Sequence, residues 1–133
     1  MLGPMRRAVF AGLAVALGLA LSPAAASAAV TRRYGYEYEQ VWSATLRLLV
    51  VDRGFKIIEK DPETGYIVFE FKESAKDERS WRASAELIRD KDPSDRPVVK
   101  VKLSIAGKPE LPHTLLHDKL AEKLRSEYGA SRS

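Results

Sequence analysis

His113 and His117 lie four residues apart near the start of a helical segment, and they are the only histidines in the chain. At that spacing two imidazoles share one helix face, as metal ligands must, and Glu110 or Asp118 would be the nearest third ligand. The pair lacks the glutamate that a zinc hydrolase helix carries between its histidines. Two exposed histidines at a helix end are therefore expected, and no bound metal. Acidic pairs recur at Glu37/Glu39, Asp61/Glu63, Asp77/Glu78 and Asp90/Asp92. General acid–base chemistry needs carboxylates that converge in one pocket with unlike environments. These pairs fall in turns and charged connections, where solvation and turn formation are their expected work. Asp61 and Glu63 beside Gly65 form too short an acidic run for a calcium loop, and no later bidentate glutamate follows.

Nucleophiles fare no better. The chain has no cysteine, which excludes a disulfide framework, thiolate metal sites and a thiol nucleophile. No Gly-x-Ser-x-Gly elbow or glycine-rich phosphate loop occurs. No catalytic residue and no cofactor is expected, and the chain reads as a non-enzyme.

Other residues are suited to contact. Tyr34, Tyr36 and Tyr38 alternate beside Arg32 and Arg33. Two readings stand open for them: a contact surface, or an edge strand packing on its neighbour. Trp42 and Trp81 fall on apolar stripes and are expected in the core. Arg82, Lys100 and Lys102 alternate with apolar positions and face away from them, together with Glu70 and Glu86. Opposite charges paired across strands account for that mixture, and a basic patch for anionic lipid is the competing reading. Tyr34, Tyr36, Arg82, Lys100 and Lys102 thus make up the candidate interaction surface.

The elements that position these residues follow from periodicity. Of 133 residues, 45% are hydrophobic and 30% charged, which suits one small domain. Residues 1–28 read as a secretory signal peptide. Arg6 and Arg7 are followed by an uncharged run over residues 8–21, a helix-breaking Pro23, and the small residues Ala26 and Ala28 at a cleavage site. The run is short for a membrane anchor, which needs about 20 apolar residues. Cleavage after Ala28 removes both arginines and lowers the formal net charge of +4 by two. A near-neutral exported domain is a poor match for nucleic acid. A soluble periplasmic or secreted product is expected.

Residues 30–37 fit a short edge strand or an extended lead-in. Val41, Trp42, Thr45, Leu46, Leu49 and Val50 recur at spacings of three and four, which predicts an amphipathic helix over residues 37–52, closed by Gly54. Strands are predicted over residues 55–60 and 66–72, joined by the Asp61-Pro62-Glu63-Thr64-Gly65 turn. Two further alternating strands follow at residues 80–89 and 98–105. Leu116, Leu120, Leu124 and Tyr128 then predict a second helix ending at Gly129, with residues 130–133 a frayed tail. The expected fold is α+β in the order α-β-β-β-β-α, within a single domain over residues 29–129. A four-stranded antiparallel sheet would carry both helices on its one apolar face, because each helix has a single stripe to bury.

The run Tyr38-Glu39-Gln40-Val41-Trp42-Ser43-Ala44-Thr45-Leu46, then Gly54-Phe55-Lys56-Ile57-Ile58 and Asp61-Pro62-Glu63-Thr64-Gly65-Tyr66-Ile67, resembles the helix–hairpin start of small bacterial envelope domains. These are the helix-grip modules of BamC-type envelope lipoproteins and related periplasmic families. The resemblance covers about the first half of the exported chain. It implies a helix-grip fold and a non-enzymatic role in the cell envelope. This chain departs from the lipoproteins in having no lipobox cysteine, and no functional residue carries over. The function expected is a periplasmic or secreted interaction or accessory domain that binds another envelope protein, with peripheral membrane contact a further option. The alternatives are a small hydrophobic-ligand carrier with a pocket between helices and sheet, and a metal-dependent hydrolase using His113 and His117.

Overall fold

In the computed structural model the protein is described over residues 28–74 and 76–131. The expected leader, apart from Ala28, and the last two residues of the expected tail lie outside the described residues. Five strands form one antiparallel sheet: β1 (Ala29–Tyr34), β2 (Lys56–Asp61), β3 (Tyr66–Phe71), β4 (Trp81–Lys91) and β5 (Pro97–Ile105), in the spatial order β1-β5-β4-β3-β2. Two helices accompany it. Helix α1 (Tyr38–Arg47) runs into a π-turn (Leu48–Asp52), and α2 (Glu110–Tyr128) follows β5. The sheet thus has five strands, not the expected four. Residues 29–34 are a full edge strand, paired with β5 from Ala29 opposite Ser104 to Tyr34 opposite Val99.

The alternation in the central strands explains the layering. Ile67, Phe69, Phe71, Ala83, Ala85, Leu87, Val99, Val101, Leu103 and Ile105 all point to one face and are buried there. Val41, Ala44, Leu48 and Leu49 from α1 and its π-turn join them, as do Leu116, Leu120 and Leu124 from α2, in one core cluster. Both helices therefore lie on the same face of the sheet. The ring of Phe55 stacks on Phe69 at 5.6 Å and meets Phe71 at 5.4 Å, filling the space under the π-turn. Trp42 and Trp81 are partly buried and pack against the rim of this core.

The first helix departs from expectation at its end. Leu48 is buried and Val50 is 45% exposed. The π-turn adds a residue to the last turn, which rotates the stripe so that Leu48 and Leu49 face the core. Arg53 N–H then donates to Leu48 O at 2.9 Å and Phe55 N–H to Leu49 O at 2.8 Å, around a left-handed Gly54. At the helix start the Gln40 side chain accepts the Glu37 N–H at 3.0 Å, supporting the first turn. Gly65 closes the β2–β3 hairpin with φ +79°. A Cβ there would sit 2.2 Å from the backbone oxygen of Leu87, so only glycine fits. Strands β4 and β5 run longer than predicted, to Lys91 and from Pro97. Asp92 makes the reversal compact by accepting the N–H groups of Ser94 and Arg96 at 2.8 and 2.9 Å.

Candidate interaction surface

The outer face of the sheet carries Arg82, Lys100 and Lys102, as their place in the alternation requires. The register sets Glu70 opposite Arg82 and Glu86 opposite Lys102. The expected pairing of these charges does not close: among the described residues none of the three cations has a carboxylate oxygen within 4.0 Å. Tyr66 and Ile88, 40% and 39% exposed, add apolar area to the same face. Beside Tyr66 lies an open hollow of about 260 Å³ lined by Tyr66, Val68, Arg82, Ala83, Ser84, Ser104 and Ala106. Its rim holds a free guanidinium, its floor two serine side chains and its wall a phenol. That set can accept a carboxylate or a backbone carbonyl beside an apolar side chain, and it holds no pair of groups suited to general acid–base transfer.

Tyr34 and Tyr36 do not belong to this surface. Both are buried, at 5% and 6% exposure. The alternating tyrosines instead radiate to three different elements. Tyr34 Oη lies 2.6 Å from His117 Nδ1 and 3.1 Å from the His117 carbonyl oxygen. Tyr36 Oη donates to Gly129 O at 2.7 Å, at the end of α2. Tyr38 Oη donates to Pro62 O at 2.7 Å, in the hairpin turn. Of the two open readings, the packed edge strand is the one the coordinates bear out for Tyr34. Its residues face the helices at Val30, Arg32 and Tyr34. Arg32 reaches Asp118 at 2.9 Å, while Arg33 on the outer face holds Asp90 at 2.8 Å. Arg89 covers the Tyr38 ring at 3.7 Å, a cation–π contact at the sheet margin.

The two histidines are not exposed at a helix end. Both are fully buried, and both spend their two ring nitrogens inside the fold. Ile105 N–H donates to His113 Nε2 at 3.0 Å, so His113 Nδ1 carries the proton and donates to Pro109 O at 2.8 Å. His117 Nε2 faces Val30 O at 2.9 Å. A carbonyl only accepts, so Nε2 is the protonated nitrogen and Nδ1 takes the hydroxyl proton of Tyr34. Burial lowers the His117 pKa below the ordinary imidazole value against the opposing pull of the Val30 backbone bond, with Arg32 and His113 adding to the lowering and Asp118 opposing it. Burial likewise raises the Tyr34 phenol well above its usual value. His113 thus locks the start of α2 to the end of β5, and His117 locks its second turn to β1.

The acidic pairs are dispersed. Asp61 caps its own turn, accepting the Glu63 N–H at 3.0 Å. Asp92 is held below the usual carboxylate range by the backbone N–H of Arg96, and Asp90 by the backbone of Lys91 and the Arg33 side chain. Among the described residues no three His, Asp or Glu side chains gather as a metal site would need. A wide cleft of about 540 Å³ separates the π-turn from α2, and its charged side chains other than Arg53 are mutually satisfied. Lys123 bridges Asp52 at 2.9 Å and Glu127 at 3.2 Å, and Glu127 also pairs with Arg47.

One region was not anticipated. Leu111 and Leu115, on the first turns of α2, are 63% and 54% exposed. With Pro112, Leu116, Phe71, Glu73 and Arg53 they line an apolar groove of about 270 Å³. Leu111 and Leu115 sit outside the Leu116/Leu120/Leu124 stripe, and two large apolar residues off the stripe were the available sequence signal. Set against known protein families and against characterised proteins, the chain matches none.

Proposed function

We propose that this chain is a non-catalytic accessory domain of the bacterial cell envelope that docks another envelope protein through the outer face of its sheet. The observation that supports the reading most is the outer face itself. Among the described residues its three cations have no carboxylate oxygen within 4.0 Å, and it carries two exposed apolar side chains and a shallow hollow beside Tyr66. Polar groups around apolar anchors are the usual anatomy of a protein contact. The two imidazoles, the obvious chemical groups, are spent on structural hydrogen bonds. Helix-grip-like architecture and export through an N-terminal leader belong to the same proposal. They rest on the resemblance of the helix–hairpin segment and on the pattern of residues 1–28.

The test is capture from envelope extracts with the outer face altered. Arg82→Ser combined with Lys102→Ser is expected to abolish capture while the melting temperature stays put, because both side chains are exposed. Undiminished capture by that variant and by Tyr66→Ser would refute the sheet face as the docking surface. The ligand-carrier alternative has one observation in its favour, the groove beside Leu111. The space between helices and sheet is occupied by Phe55, Phe69, Leu49 and Leu103, so a carrier would have to use that outer groove.

A further inference from the structure

We propose that the end of the molecule bearing Leu111 and Leu115 is a membrane-docking tip for an anionic bilayer. It is a surface separate from the sheet face, and the inference does not depend on the docking of a protein there.

Two observations converge. The first is apolar exposure. Leu111 and Leu115 are more than half exposed and wall a groove floored by Phe71 and Leu116. Val51, in the turn that delivers Arg53, is 72% exposed. Large apolar side chains grouped around a groove mark a contact surface. A hollow of about 270 Å³ is too small for a helix and suits an acyl chain or a loosened headgroup region.

The second is charge. The one acid that lines the groove and the acid beside Arg53 are both paired. Glu73 pairs with Lys108, and Asp52 pairs with Lys123 at 2.9 Å. Arg53, which lines the same groove, has no carboxylate within 4.0 Å among the described residues and lies over the Phe55 ring at 5.5 Å. An unpaired guanidinium beside exposed leucines is matched by a lipid phosphate above its acyl chains.

Vesicle flotation tests the assignment. The core lies wholly within residues 34–124, so the chain from residue 29 onward folds without the leader, which would bind lipid by itself. This chain is mixed with phosphatidylglycerol/phosphatidylethanolamine vesicles. It is expected to float with them, and Leu111→Asp with Leu115→Asp is expected to lower the bound fraction about tenfold. Arg53→Ser weakens binding to these vesicles and leaves the weaker binding to phosphatidylcholine vesicles unchanged. Arg82→Ser with Lys102→Ser leaves both unchanged. Circular dichroism confirms that each variant is folded. Absence of flotation, equal flotation of the leucine variant, or a concentration-dependent dimer that the leucine variant abolishes would overturn the proposal, the last by assigning the tip to a second copy of this chain.

Discussion

Replacing His117 with glutamine should flatten the pH dependence of stability between pH 7.5 and 5.5. The His117 ring is fully buried and neutral, with Nε2–H bonded to Val30 O and Nδ1 accepting from Tyr34. A proton added to Nδ1 can be housed, because the Tyr34 hydroxyl has the His117 carbonyl 3.1 Å away as a second acceptor. The cost is then that of a charge taken out of water beside Arg32, which is why the folded pKa is lowered. In the unfolded chain the same ring titrates near its ordinary value of about 6.5. Below that value the unfolded state binds the proton that the folded state refuses. Stability contributed by neutral His117 is therefore complete above about pH 6.5 and is lost as pH falls toward the lowered folded value. The loss is at most about 1.4 kcal/mol per pH unit. Asp90, Asp92 and Glu127, whose pKa values are also lowered, lose their contributions only below about pH 4, so the upper window reports on imidazole. Urea unfolding at pH 7.5, 6.5 and 5.5 measures it. His117→Gln keeps an N–H for Val30 and cannot be protonated. It should be less stable than the parent at pH 7.5, with a gap that narrows by about 1 kcal/mol at pH 5.5. Parallel stability curves for the two proteins would refute the reasoning.

Two further perturbations test the architecture. Gly65→Ala places a Cβ against the Leu87 backbone oxygen at a positive φ, and it should cost on the order of 3 kcal/mol in urea unfolding. Tyr36→Phe removes the hydroxyl that holds Gly129 O. It should cost about 1 kcal/mol and speed amide exchange in the last turn of α2 while leaving the β2–β3 hairpin amides unaffected.

The central layers were legible because alternation and burial coincide in them. Ile67/Phe69/Phe71, Ala83/Ala85/Leu87 and Val99/Val101/Leu103/Ile105 each show period two, and each points inward. Strand β1 was harder to read because its helix-facing positions are Val30, Arg32 and Tyr34. An edge strand covered by a helix terminus can use hydroxyl and guanidinium groups where an inner strand needs aliphatic ones. The same reason misled the reading of Tyr34 and Tyr36. A tyrosine ring buries as well as phenylalanine if its hydroxyl finds an acceptor, and only the fold shows that acceptor. His113 and His117 left a trace, since positions 113, 117, 120 and 124 continue one helical stripe. Imidazole on a stripe reads as polar until its two nitrogens are seen to be satisfied. Leu48 and Val50 exchanged roles because a π-turn has no hydropathy signal of its own. The outer positions of Arg82, Lys100 and Lys102 followed directly from the alternation, whereas their lack of ion pairs depends on side-chain reach and did not.

The first strand of this sheet is also the one whose partners are synthesised last. Tyr34 is tied to His117 across 83 residues and Tyr36 to Gly129 across 93. A ribosome or a translocation channel delivers the chain from one end, so β1 emerges long before anything exists to hold it. Closing such a long loop carries its entropic cost before any contact repays it. The hairpin of β2 and β3, whose partners lie only a turn apart, has no such wait. Native shape in this domain is consequently withheld until nearly the whole chain has arrived, and the helix that arrives last fastens the strand that came first.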